Sequence, residues 1–76
     1  MYHIQIYNRT ALRIVSSQMA STEIETAKIA RSFISRIKER CEIVKESAYD
    51  ISPRGYVFGQ TLHTAGVIYE ISTAKA

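Results

Sequence analysis

Few side chains in this chain are equipped for covalent chemistry. Cys41 and His63 could act as nucleophile and base, because an imidazole can take a thiol proton and leave the reactive thiolate. Cys41 falls on the apolar stripe of the helix described below, where an unpaired cysteine packs as a small inert hydrophobe, so no catalysis is expected from it. A metal ion would need three or four converging ligands, and His3, Cys41, Asp50 and His63 show neither C-x-x-C nor H-x-x-x-H spacing. Gly55, Gly59 and Gly66 stand at turn and bulge positions with no helix after them, unlike a phosphate-cradling loop. Asp50 with Glu46 or Glu70 is the one carboxylate pair available for hydrolysis, and these acids read as solvated surface. The expectation is a protein that is not an enzyme, with no catalytic residue, metal or cofactor.

Binding chemistry is better represented. Arg54, Gly55, Tyr56, Val57 and Phe58 partly resemble the first ribonucleoprotein signature of the RNA-recognition motif, with Ile6 and Tyr7 faintly similar to its companion. That resemblance implies Tyr7, Tyr56 and Phe58 as base-stacking platforms and Arg54 as a phosphate contact. It covers some eight residues and departs from the family at Val57, Gly59 and Thr61, and a second helix is missing. The helix offers no basic stripe for DNA either. At 100° per residue, Arg31 and Lys38 fall on one flank of its apolar stripe, Arg36 and Arg40 on the other, and Lys28 opposite. RNA or single-strand binding through sheet-face aromatics is therefore the alternative reading.

The leading expectation is a non-catalytic module that binds another protein. Tyrosine and arginine bury large area while keeping hydrogen bonds, which enriches them at interface centres. The expected partner-binding residues are Tyr7, Arg9, Arg13, Arg54 and Tyr56, in the first hairpin and the Pro53 turn, where side chains project freely from a scaffold. An unpaired edge strand offers a second mode, joining a partner's sheet or a copy of itself as a homodimer.

The elements that must hold these residues follow from periodicity. Tyr2 to Tyr7 alternate as a half-buried strand, and Leu12, Ile14 and Val15 pair back as a hairpin. Thr22 with Glu25 three residues later is a capping box. Ala27, Ala30, Ile34, Ile37 and Cys41 then repeat at three and four, with Ile24 and Phe33 widening the stripe. Glu23 and Glu25 in the first turn and Arg36, Lys38 and Arg40 near the end suit the helix dipole. Residues 42–51 fit a strand or a helix extension, and Ile43, Val44 and Tyr49 favour the strand. Ser52, Pro53, Arg54 and Gly55 make a turn. Tyr56–Leu62 and Val67–Ile71 form a second hairpin, with a bulge or close backbone approach at Gly59 and a fraying tail from Ser72 to Ala76. The expected fold is α+β: one antiparallel sheet of four to five strands, ββαββ or ββαβββ, with a single helix on one face.

Length and composition bound the rest. The 76 residues, 46% hydrophobic, suffice for one small domain with a modest core. A single cysteine excludes an internal disulfide and favours a reducing, cytoplasmic home, and the opening residues read as a strand, not a leader. No apolar run approaches the ~20 residues of a membrane span. A net charge of +3 permits an acidic partner. In size and layout the chain looks like small phage inhibitor proteins, including anti-CRISPR proteins. That likeness implies stoichiometric blocking of a host complex and assigns no functional residue.

Overall fold

The computed structural model describes residues 1–76. They form β1 (Tyr2–Asn8), β2 (Arg13–Ala20), α1 (Glu23–Arg40), β3 (Ile43–Ile51), β4 (Val57–Thr64) and β5 (Ile68–Lys75). The strands make one antiparallel sheet in the order β2-β1-β5-β4-β3, so β2 and β3 are its edges. The layout is ββαβββ, with residues 43–51 in the strand conformation. No helix is long and apolar enough to cross a membrane.

Local chemistry sets the boundaries of α1. Thr22, in extended backbone geometry, accepts a hydrogen bond from Glu25 N at 3.2 Å through its side chain. The Glu25 carboxylate in turn accepts from Ser21 N at 3.1 Å and from Ser21 Oγ at 2.9 Å, one residue beyond the usual capping-box partner. At the other end the chain turns extended at Cys41, whose N–H donates to the Ile37 carbonyl.

Alternation in the strands and helical spacing in α1 meet in one core of Ile4, Ile6, Ala30, Phe33, Leu62 and Ile71, flanked by Ile29, Ile34, Ile37, Ile43 and Tyr69. Only 11 of 76 residues are buried, so each large one matters. Phe33 packs edge-on against Tyr69 at 5.2 Å, and Tyr2 meets Phe58 at 5.6 Å. Each such side chain contributes about 1.5–3 kcal/mol by leaving water.

Three sequence expectations need correction. Ile24 is exposed, because at 100° per residue it points roughly 160° away from buried Thr26. Thr26 takes the inward place, and its hydroxyl is satisfied by donating to the Glu23 carbonyl at 2.6 Å. Cys41 has the right spacing for the stripe but lies past the last helical turn and is exposed. The segment from Ser72 does not fray: Ser72–Lys75 pair with Tyr2–Gln5, and β5 is the middle strand of the sheet. Its Thr73 is buried.

The Ser52–Tyr56 turn forms as expected. Gly55 adopts φ 92°, a region that glycine enters without penalty, and its N–H donates to the Ser52 carbonyl at 2.9 Å. Ser52 Oγ accepts from Tyr56 N at 3.1 Å.

Candidate functional site

Because α1 covers one side only, the sheet has an open face. Strand alternation and register give its rows: Ile14, Tyr7, Glu70, Thr61 and Ser47 lie side by side, and next to them Ser17, Gln5, Ser72 and Gly59. His3 and Ser17 are hydrogen-bonded across this face at 2.6 Å. The centre of the face is thus small and polar.

The five residues expected to bind a partner do not form one patch. Tyr7 lies on the open face, Arg9 is in the β1–β2 turn, and Arg13 is exposed opposite Asn8 on the helix-covered side. Arg54 and Tyr56 lie in the β3–β4 turn at the other end of the sheet, a strand length or roughly 20 Å away at about 3.3 Å per residue. Tyr56 lines a small cleft of about 250 Å³ with Ala27, Ala30, Arg31, Ile34, Val57 and Gln60. The three aromatics of the nucleic-acid reading are likewise divided. Phe58 faces the helix side against Tyr2, Tyr56 sits beside α1, and Tyr7 alone is on the open face.

Exposed apolar side chains lie along both edges of the sheet, Val44, Tyr49 and Ile51 on β3 and a second group on β2 and the turn before it. Leu12 is 75% exposed, Ile14 55%, Val15 47% and Met19 51%. Leu12 also has φ 56°, the left-handed conformation, which costs a side-chain-bearing residue about 1–2 kcal/mol. β2 is an edge strand with little of the usual protection. Its residues, RIVSSQMA, include no proline and one charge, Arg13, and the ladder to β1 has a single register shift, at Ile6/Tyr7 opposite Val15. The other edge is blunted. β3 carries Lys45, Glu46 and Asp50 and has three register shifts.

Behind β2, between the strand and α1, runs a cleft of about 470 Å³ lined by Val15, Ser16, Gln18, Phe33, Arg36, Ile37, Arg40 and Tyr69. Its floor is apolar and its charged rim is wholly cationic. Arg36 and Arg40 share the flank of the helix that the 100° projection gave them. A neighbouring hollow between this flank and the outer side of the helix, lined by Gln18, Lys28, Ile29, Ser32 and Arg36, adds a third cation and again no acid. Sequence reasoning found the shared flank but missed the cleft, because Val15 and Tyr69 reach it only through strand pairing.

Catalytic groups are not brought together. Cys41 ends α1, while His63 lies on the open face between Lys45 and Ile68. No three His, Cys, Asp or Glu side chains gather closely enough to hold a metal ion. Two titratable groups are perturbed. The hydrogen bonds from Ser21 N–H and then its hydroxyl hold Glu25 below the usual carboxylate range, with Lys28 adding to the effect and slight desolvation opposing it. Desolvation, then the charges of Glu70 and Asp50, push the Tyr49 phenol up, partly offset by Arg9.

Comparison of the chain with protein-family models, with curated proteins and with solved structures gives no match.

Proposed function

We propose that this chain is a non-catalytic protein-binding module that docks its partner along the β2 edge. The observation that carries this reading is the run of exposed Leu12, Ile14, Val15 and Met19 on an edge strand that has scarcely any charge to repel a neighbour. The strained backbone at Leu12 supports it, since the chain accepts a conformational cost to hold a leucine in solvent. A domain of 76 residues acts in this way by occupancy, as an inhibitor or an adaptor, in keeping with its likeness in size and layout to phage inhibitor proteins.

The test is capture of a partner by tagged wild-type protein and by a variant carrying Ile14→Asp with Met19→Asp. Both side chains are exposed, so the variant should keep the wild-type circular dichroism spectrum. The expected result is a stoichiometric partner held by the wild type and lost by the variant. Equal capture by both would move the docking surface away from β2.

A further inference from the structure

We propose that the β2 edge and the cleft behind it accept an extended, acidic segment of a partner protein as a sixth strand of the sheet. This rests on the docking reading above and names the chemistry of the occupant.

Three observations converge on it. β2 ends the sheet, so its outer row of backbone N–H and C=O groups is free to pair with an added strand. An added strand would send alternate side chains to the two sides of the sheet. Those on the helix side would meet Arg36 and Arg40 over a floor of Val15, Phe33, Ile37 and Tyr69, with Lys28 further along, and no acid lines either hollow. Those on the open side would lie beside Ile14 and Met19. The complementary segment therefore alternates acidic and apolar residues.

A second copy of this chain fits less well. Its β2 brings Arg13 and no acid, and a two-fold axis at this edge would set both pairs of Arg36 and Arg40 near each other. The register shift opposite Val15 adds a mismatch. A two-fold pairing that sets Ile14 against Met19 also sets Ser16, on the helix side, against Ser17, on the open side. Nucleic acid would be drawn to the same arginines, but with Phe33 buried the cleft has Tyr69 as its one partly exposed ring, and a run of bases needs successive rings to stack on.

The experiment uses fluorescence anisotropy with labelled eight-residue peptides, one alternating glutamate and valine and one alternating lysine and valine, with an oligouridine as competitor. The glutamate peptide is expected to bind at least tenfold tighter than the lysine peptide. Arg36→Glu with Arg40→Glu, both exposed, should cost at least tenfold while the circular dichroism spectrum stays unchanged, with melting lowered by only a few degrees because Arg40 also sits favourably at the helix C-terminus. N-methylating every glutamate or every valine should abolish binding for one set and spare the other, because only alternate amides face β2. Equal binding of the two peptides, no binding of either, indifference to the charge reversal or tolerance of both methylated sets overturns the acidic strand. The Ile14 and Met19 variant then decides whether docking at β2 survives without it. Displacement of the peptide by oligouridine at lower concentration overturns both readings. A dimer in sedimentation that the peptide does not dissociate makes a second copy the occupant.

Discussion

The ring of Tyr49 fills the space that a side chain at Gly59 would need. A Cβ built on Gly59 would overlap Tyr49 Cε2 and lie 2.6 Å from its Cζ. The register shift between Ala48 and Asp50 takes Tyr49 out of the regular ladder and lets its ring reach across onto the neighbouring strand. Gly59 is consequently buried on the otherwise open face, its bare backbone covered by the aromatic ring.

Gly59→Ala should therefore destabilise the fold by about 1–3 kcal/mol, the usual cost of overpacking. For a domain of this size each kcal/mol lowers Tm by roughly 4–8 °C. In a Tyr49→Ala background the same alanine should cost much less, because the group it collides with is gone. Thermal melts of the four proteins in this double-mutant cycle check the coupling. Strict additivity would show that the two residues do not interact.

The Tyr49 phenol should ionise above the ordinary tyrosine range in an ultraviolet pH titration, assigned by comparison with Tyr49→Phe. Glu70→Gln should bring it down partway, since desolvation, the larger cause, remains. The sign for stability follows. The fold favours the neutral phenol, so its contribution is full below the ordinary tyrosine value and is lost as pH rises through the raised one. Tyr49→Phe should lack that part of the alkaline loss; an unchanged alkaline profile would contradict the shift.

Glu25 behaves in the opposite sense. Its lowered pKa means that the charged form is favoured in the fold, so its contribution is present above the ordinary carboxylate value and disappears as pH falls through the depressed one. Glu25→Gln should flatten the acid side of the stability curve in urea unfolding at a series of pH values. Ser21→Ala should flatten it only in part, because the larger donor, the Ser21 N–H, remains. A slope identical to wild type in both would exclude this linkage.

Leu12→Gly should raise stability by about 1 kcal/mol, because glycine enters the left-handed region without the penalty that a Cβ carries. The same variant should weaken partner capture, as the most exposed apolar side chain beside β2 is removed. Measuring Tm and capture on one sample separates the two effects. A variant that is more stable and equally competent would show that Leu12 takes no part in docking.

What could be read from the sequence was local. Alternation at Tyr2, Ile4 and Ile6, the Thr22 and Glu25 cap, and the Ser52–Gly55 turn each depend on residues a few positions apart, and each is found in place. The rest depends on which strands become neighbours. Ser72, Thr73 and Ala74 look like a polar tail until β1 pairs with all three and β4 reaches Ser72 from the other side. Val15 and Tyr69 are 54 positions apart in sequence, and nothing local says that they share a cleft with Arg36 and Arg40. The expected site suffered most from this. Tyr7 and Tyr56 both looked suited to binding, but the order β2-β1-β5-β4-β3 sends their strands in register so that the two residues end at opposite ends of the sheet.

The central place of β5 also governs when the domain can assemble. The β1–β2 hairpin and the β3–β4 hairpin have no ladder to each other, and β5 alone joins them. Isolated two-stranded hairpins are marginal in water. The two halves must wait until residues 68–75 are in place between them before Ile4, Ile6 and Leu62 can be sealed. Of the five strands the latest in sequence is thus the zip that closes the molecule.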